Sequence, residues 1–338
     1  MAKADTKVNI PGRFAALCVG TCIVIAAAVT LSPRRHNGGA NAGREEWRWL
    51  SMGTVAEFST EAAGAAGEAE RSIVAAAFDE VERALSVFNP DSVLSRLNAG
   101  GEIELPLIDD PCACDILKVI SFSLETARAT DGAFDPTVNP LMRLWGFRKG
   151  VENAEAPSEA SISNVLATVG YRHVGITTNG EGRATVKFDK PGVELDLGGI
   201  AKGYAVDLAY ERLVKAGAAN FLVNFGGNIR VHGKPVNGGD VWRMAIRDPA
   251  NPGRTTGDVL ELAGGEAVAT SGSYERYVEI EGRRYSHILD PRTGHPVGRG
   301  GSVSVVAPTA MAADAFSTAY FVAGESQGNA AMTVKVVE

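Results

Sequence analysis

The chain has little of what would mark several common protein classes. It carries only four cysteines among 338 residues, and Cys18 and Cys22 fall inside an apolar run. Cys112 and Cys114 are separated by one residue, a spacing that suits neither a zinc pair nor a dithiol redox motif. A disulfide framework is therefore excluded, and the cysteines read as packing residues. Five histidines, none with a companion at metal-ligand spacing, argue against zinc. There is no surplus of basic residues either: the net charge is −7, which excludes a nucleic-acid binder, since affinity for a phosphate backbone needs clustered lysine and arginine. Internal repeats are missing. The standard phosphate-binding patterns are missing as well. In GGIAKG, Gly198–Gly203, the lysine precedes the glycine rather than a serine or threonine, and the glycine pair is adjacent rather than spaced.

What is present begins with one uncharged run, Phe14 to Leu31, preceded by Lys3, Lys7 and Arg13 and followed by Arg34 and Arg35. Residues 1–35 read as an export signal or a single membrane anchor, which puts the rest of the chain in an extracytoplasmic location, in a periplasm or on the outer face of a membrane. A Gly/Asn-rich linker occupies 36–46, and one folded domain spans 47–338.

Within that domain, Val74, Phe78, Val81, Leu85 and Phe88 recur at steps of four and three, which predicts a helix with a buried stripe ending at Asn89-Pro90. Further helices are expected over 93–98, capped by Asp91-Ser92, over about 115–129, after GGIAKG up to Gly217, and from about Ala312. Ala184–Asp189 and Val193–Leu197 read as a hairpin, FLVNF as a strand entering the turn Gly226-Gly227-Asn228, and 267–270, 277–280, 284–290 and 303–307 as later strands. Strands and helices mix without strict alternation, so the fold class is α+β.

Three segments can carry chemistry. Glycines ahead of a helix let backbone approach a ligand, and a helix N-terminus favours an anion; GGIAKG adds Lys202, with Asp196 three residues before Gly199. An ordinary strand-to-helix turn remains the plain alternative. In ADAFST, Asp314 and Thr318 lie four apart on one helix face and offer hard oxygen donors suited to Mg²⁺, although an acid near a helix start also complements the dipole. In YSHILDP, His287 would share a strand face with Tyr285 and Leu289, as either a base or a satisfied core histidine.

Eight segments in order give the chain a resemblance to the ApbE family of flavin transferases: MGT (52–54), NPDSVLSRLN (89–98), DGAFDPTVNPLMRLWGF (131–147), ELDLGGIAKGYAVD (194–207), NFGGNI (224–229), ATSGSYER (269–276), SHILDPRTGHPV (286–297) and ADAFSTA (313–319). The resemblance covers about Met52 to Gly324. It implies mixed sheets with packed helices, in two closely associated lobes around a flavin and Mg²⁺ site. It further implies FAD as substrate, with Mg²⁺ held by the Gly199 carbonyl, Asp314, Thr318 and Ser317, the last where relatives often have an acid. Asp196 and Lys202 would face FAD. Met52, Ala133, Phe134, Asp135 and Ile288 match flavin-contacting positions. Phe88 stands where many relatives carry a ligand-stacking tyrosine; its alternative is a core residue closing its helix. FMN would pass to a threonine or serine hydroxyl of an acceptor protein, in the family commonly a membrane redox complex, with His287 as base and Asp314 as the rival. An FAD pyrophosphatase and a non-catalytic flavin-binding protein are the alternatives. After Gly324 the chain is shorter than the family's closing helix and strand would need.

Overall fold

A computed structural model describes residues 44–108, 110–148, 155–235, 239–251, 253–324 and 332–337. The apolar run, Cys18, Cys22 and the linker up to residue 43 lie outside the described residues, as does the side chain of Cys112. The chain runs β1 (Glu45–Ser51), β2 (Thr54–Thr60), α1 (Ala65–Leu85), α2 (Val93–Gly100), β3 (Glu102–Pro106), α3 (Pro111–Ala129), α4 (Asn139–Leu144), α5 (Glu159–Leu166), β4 (Val174–Thr178), β5 (Arg183–Phe188) and α6 (Ala201–Lys215). It continues through β6 (Phe221–Phe225), β7 (Asn228–His232), β8 (Trp242–Arg247), β9 (Thr255–Leu262), β10 (Ala267–Gly272), β11 (Tyr277–Ile280), β12 (Arg283–Ser286), β13 (Ser302–Ala307), α7 (Ala310–Ala323) and β14 (Thr333–Val337).

The centre is a seven-stranded antiparallel sheet in the order β1-β2-β6-β7-β10-β13-β14. Smaller sheets pair β3-β5-β4, β8-β9 and β11-β12. Helices and antiparallel sheets without β-α-β alternation make an α+β fold, as the sequence pattern implies. Side chains alternate along each strand, so the central sheet has two faces to cover. Phe58, Phe221, Phe225 and Ala267 pack into one core with Val74 and Phe78 of α1 and Tyr204 and Ala205 of α6, and Phe78 stacks on Phe225 with ring centroids 4.1 Å apart. Ala269 and Val305 meet Ala313 and Phe321 of α7. Val231, Val268 and Val306 point to the other face, where Trp242 and Leu262 of the β8-β9 hairpin cover them.

Several local expectations are corrected. The stripe of α1 ends at Leu85, because the Ser86 N–H closes on Glu82 and the chain turns away; Phe88 is 51% exposed rather than a core residue. Cys114 is exposed and its thiol bonds the Leu107 carbonyl at 3.3 Å, so it is not a packing residue. Residues 193–197 join no ladder among the described residues; β5 pairs instead with β3 and β4. The final strand that the short C-terminus made doubtful is present as β14, paired along β13.

Candidate active site

The segment leading to GGIAKG is held without a strand partner. Asn98, at the end of NPDSVLSRLN, accepts from Leu195 N at 2.7 Å and donates to Leu195 O at 2.8 Å, so one amide side chain substitutes for a neighbouring strand. Asp196 N bonds Pro136 O at 2.7 Å. Pro136 follows the turn that ends α3, where Asp131 and Gly132 take φ of 46° and 75°. That turn delivers Ala133 and Phe134, both buried, to the glycine pair. A Cβ built on Gly199 would stand 3.3 Å from the Phe134 ring and 3.5 Å from Thr318 Oγ1. Gly199, Phe134 and Thr318, far apart in sequence, are therefore immediate neighbours.

α6 and α7 meet at one tight point. A Cβ on Gly203 would fall 2.3 Å from the Ala310 carbonyl oxygen and 2.8 Å from Asp314 Cβ, so only glycine permits this approach. The closeness brings Asp314 Oδ2 to 3.0 Å from Gly203 N, while Lys202 Nζ lies 3.9 Å from the same oxygen and 2.9 Å from the Gly198 carbonyl. The first anion at the N-terminus of α6 is thus the protein's own carboxylate, a use of GGIAKG that its pattern alone does not reveal. Burial pushes the Asp314 carboxyl up, against the opposing pull of Lys202 and the Gly203 N–H. Ser317, fully buried one turn on, bonds the Asp314 carbonyl at 3.0 Å and Ser271 Oγ at 2.9 Å; Ser271 also reaches Thr318 Oγ1 at 3.1 Å. The helix thus supplies one carboxylate and two hydroxyls beside the Gly199 turn, hard oxygen donors that fit Mg²⁺. Among the described residues no three His, Cys, Asp or Glu side chains gather as a metal site, so such an ion would rest on hydroxyl and carbonyl oxygens beside Asp314.

Asp196 has both oxygens engaged. Oδ1 accepts from Gly198 N at 2.7 Å and Oδ2 pairs with Arg148. Burial raises its carboxyl, but Arg148, the Gly198 N–H and Lys202 outweigh it and hold it below the usual carboxylate range. Arg148 also donates to Asn139 Oδ1 at 2.8 Å and lies over the exposed Phe88 ring, 5.4 Å from its centroid. Phe88 therefore lines this corner as the surface-facing ring under a guanidinium. Asp135 is placed differently: its carboxylate takes Thr137 N at 2.9 Å, Thr137 Oγ1 at 2.6 Å and Tyr171 N at 2.7 Å, a bracket that fixes the loop behind Phe134.

His287 lies just past the end of β12, so it does not share a strand face with Tyr285. Its backbone N–H and Nδ1 both meet the Arg276 carbonyl at 3.1 Å. The Nδ1 contact requires a proton there, which leaves Nε2 as the lone-pair nitrogen. Burial above all, with the charges of Arg276 and Lys202, lowers its pKa to about 4, against the opposing pull of the Arg276 carbonyl bond and of Asp196. Those charges tie His287 to the same site, and Ile288 beside it is buried against Ala133. Met52 takes φ of 46° in the β1–β2 turn, and a Cβ on the next residue, Gly53, would lie 3.8 Å from Arg276 Nη2, bringing that turn to the site.

Residues the sequence reading did not assign complete the site. Arg148, Asn98, Ser271, Glu275 and Arg276 all lie in or beside the eight segments, but their partners are distant in the chain. Glu275 has its carboxyl raised by burial, opposed by Lys202, Arg247 and Arg276 and reinforced by Asp314.

Comparisons with known proteins agree on one group. The ApbE family model matches residues 52–337. An FAD:protein FMN transferase of Haemophilus influenzae is 34% identical over 255 residues, 75% of this chain and 72% of the relative; one from Escherichia coli K12 is 34% identical over 248 residues, 73% and 68%. Among solved structures, the ApbE protein of Thermotoga maritima superposes with a TM-score of 0.75 at 34% identity, covering 87% of this chain and 94% of that one. The flavin transferase ApbE of Vibrio cholerae gives 0.69 at 30%, covering 82% and 86%. The family match spans every residue of the site, and the chain belongs to the ApbE family.

Proposed function

We propose that this chain is an FAD:protein FMN transferase. The observation that carries the reading is the convergence of Phe134 and Thr318 on Gly199, where an added Cβ would touch both, beside Asp314 and Lys202. It offers backbone and hard oxygens for a metal-bound pyrophosphate and a buried aromatic for the flavin. A threonine or serine oxygen of an acceptor protein attacks the FMN phosphorus of FAD, the new O–P bond forms, the pyrophosphate P–O bond breaks, and AMP leaves. His287 Nε2 takes the hydroxyl proton; Asp314 is the competing acceptor, its carboxyl raised by burial. Lys202 offsets charge on the bridging and leaving oxygens. Mg²⁺, held by the Gly199 carbonyl, Asp314 and Thr318 with Ser317 beside them, would supply Lewis-acid stabilisation of the pyrophosphate. Phe88, Met52, Ile288 and Ala133 would bound the flavin, with Asp196 shaping the Gly198 turn and Asp135 the loop behind Phe134.

We also infer, from the basic-flanked apolar run ahead of the domain, that the enzyme works outside the cytoplasm and that its acceptor belongs to a membrane redox complex. The test incubates the purified chain with FAD and Mg²⁺, with and without a threonine-bearing acceptor. AMP together with an FMN-sized gain on the acceptor supports transfer. AMP with free FMN regardless of acceptor would point to hydrolysis, and tight FAD binding without AMP would remove catalysis from the reading.

A further inference from the structure

We propose that Asp207 is the positioning residue for the metal-bearing helix: its carboxylate ties α6 to the N-terminus of α7 and so sets where Asp314 and Thr318 stand. The inference rests on the Mg²⁺ reading above. Asp207 lies four residues after Gly203, one turn along the same face of α6. That face carries both contacts between the helices. At Gly203 the absence of a side chain lets the backbones close. At Asp207 the carboxylate reaches across: Oδ1 accepts from Ala310 N at 2.8 Å and Oδ2 from Met311 N at 2.9 Å. These are N–H groups of the first turn of α7, which have no partner within their own helix.

The carboxylate is 4% exposed and paired with Arg230, whose Nη1 donates to Oδ1 at 2.7 Å. Arg230 is itself fixed, through Nε to the Gly265 carbonyl at 3.1 Å and by stacking 3.9 Å above the Tyr210 ring. One carboxylate therefore joins α6, α7 and β7, and Asp314 follows Met311 by three residues on the helix it anchors. The same helix has an ordinary local cap: Thr309 Oγ1 accepts from Ala312 N at 3.2 Å, a bond internal to α7 that holds it to nothing else. The pair separates two roles. A cap stabilises the helix; a cross-tie positions it against the Gly199 turn.

The test measures Mn²⁺ binding by electron paramagnetic resonance on the intact chain without FAD, for wild type, Asp207→Asn and Thr309→Ala, with thermal melting of each. Asparagine keeps the shape but presents an N–H₂ to one of the two backbone donors. Residues that orient metal ligands cost about 10- to 100-fold in metal affinity when changed, and D207N is expected in that range, whereas T309A should lower the melting temperature and leave Mn²⁺ affinity within about twofold. Should D207N fail to fold, Arg230→Lys keeps the charge but frees the Asp207 carboxylate from its hold on β7, and is expected to weaken Mn²⁺ binding in the same direction. Unchanged affinity in a folded D207N or, failing that, in a folded R230K, or an equal loss in T309A, would overturn the proposal. Wild type that binds no Mn²⁺ would instead sink the metal reading on which it rests.

Discussion

The pH profile of the reaction gives the sharpest test of His287 as base. An exposed histidine titrates near 6.5, but burial first, and the Arg276 and Lys202 charges after it, lower this one to about 4. The sign follows directly: a base with a depressed pKa stays unprotonated, and competent, further into acid. At pH 5.5 a group of pKa about 4 is about 3% protonated, whereas one at 6.5 is about 91% protonated. If His287 acts as the geometry implies, kcat/KM for FAD at pH 5.5 retains nearly all its neutral-pH value, where an ordinary histidine would leave about a tenth. Binding FAD adds negative phosphates beside His287, which favour the imidazolium. The acid limb of kcat should therefore lie at higher pH than that of kcat/KM. The assay is initial-rate AMP release at saturating acceptor from pH 4.5 to 8, for wild type and His287→Gln. H287Q should be slow across the range without losing FAD binding. A kcat/KM limb near 6.5 in wild type, or an undiminished rate in the variant, would refute the assignment.

Other predictions follow from particular contacts. Asp314→Ala should abolish both AMP release and its dependence on added Mg²⁺; Mg²⁺-stimulated activity persisting in that variant would remove Asp314 from the metal site. Gly199→Val should eliminate FAD turnover and also lower the melting temperature, because the Cβ and its branches crowd Phe134 at 3.3 Å and Thr318 Oγ1 at 3.5 Å and displace both; wild-type turnover would show that the turn does not approach substrate. Arg148→Ala leaves Asp196 buried without its partner and should cost about 3–5 kcal/mol at pH 7 by urea unfolding. The folded pKa of Asp196 lies below 3.8, so its stabilisation is present above that value and is lost as pH falls through the lower one. The gap between wild type and R148A should accordingly shrink toward pH 3, and a pH-independent gap would contradict an electrostatic origin.

The helices were legible in the sequence because an amphipathic stripe reports its own period: α1, α3 and α6 lie where apolar spacing puts them. The glycine turn between β6 and β7 was legible for a comparable reason, since Gly226 and Gly227 take φ of 60° and 91°, conformations that glycine adopts without strain. Residues 193–197 look like a strand but pair with none, because the side chain of Asn98 meets their backbone donor and acceptor, and strand propensity carries no information about such a partner. Phe88 continues the heptad-like stripe of α1 yet faces solvent, because the helix stops one turn earlier and the ring is taken by Arg148.

By itself, then, the sequence determined the fold class, the family through its ordered segments, and which residue types could hold a phosphate, a metal and a proton. Tertiary structure alone decided that the anion nearest the start of α6 is Asp314 and that Asp196 is already paired. It also decided that Asp207 secures one helix to another. These are contacts between groups more than a hundred residues apart in two of the cases. A linear pattern encodes local periodicity and backbone freedom, whereas electrostatic partnership depends on distance in space, which exists only once the core has brought the helices together.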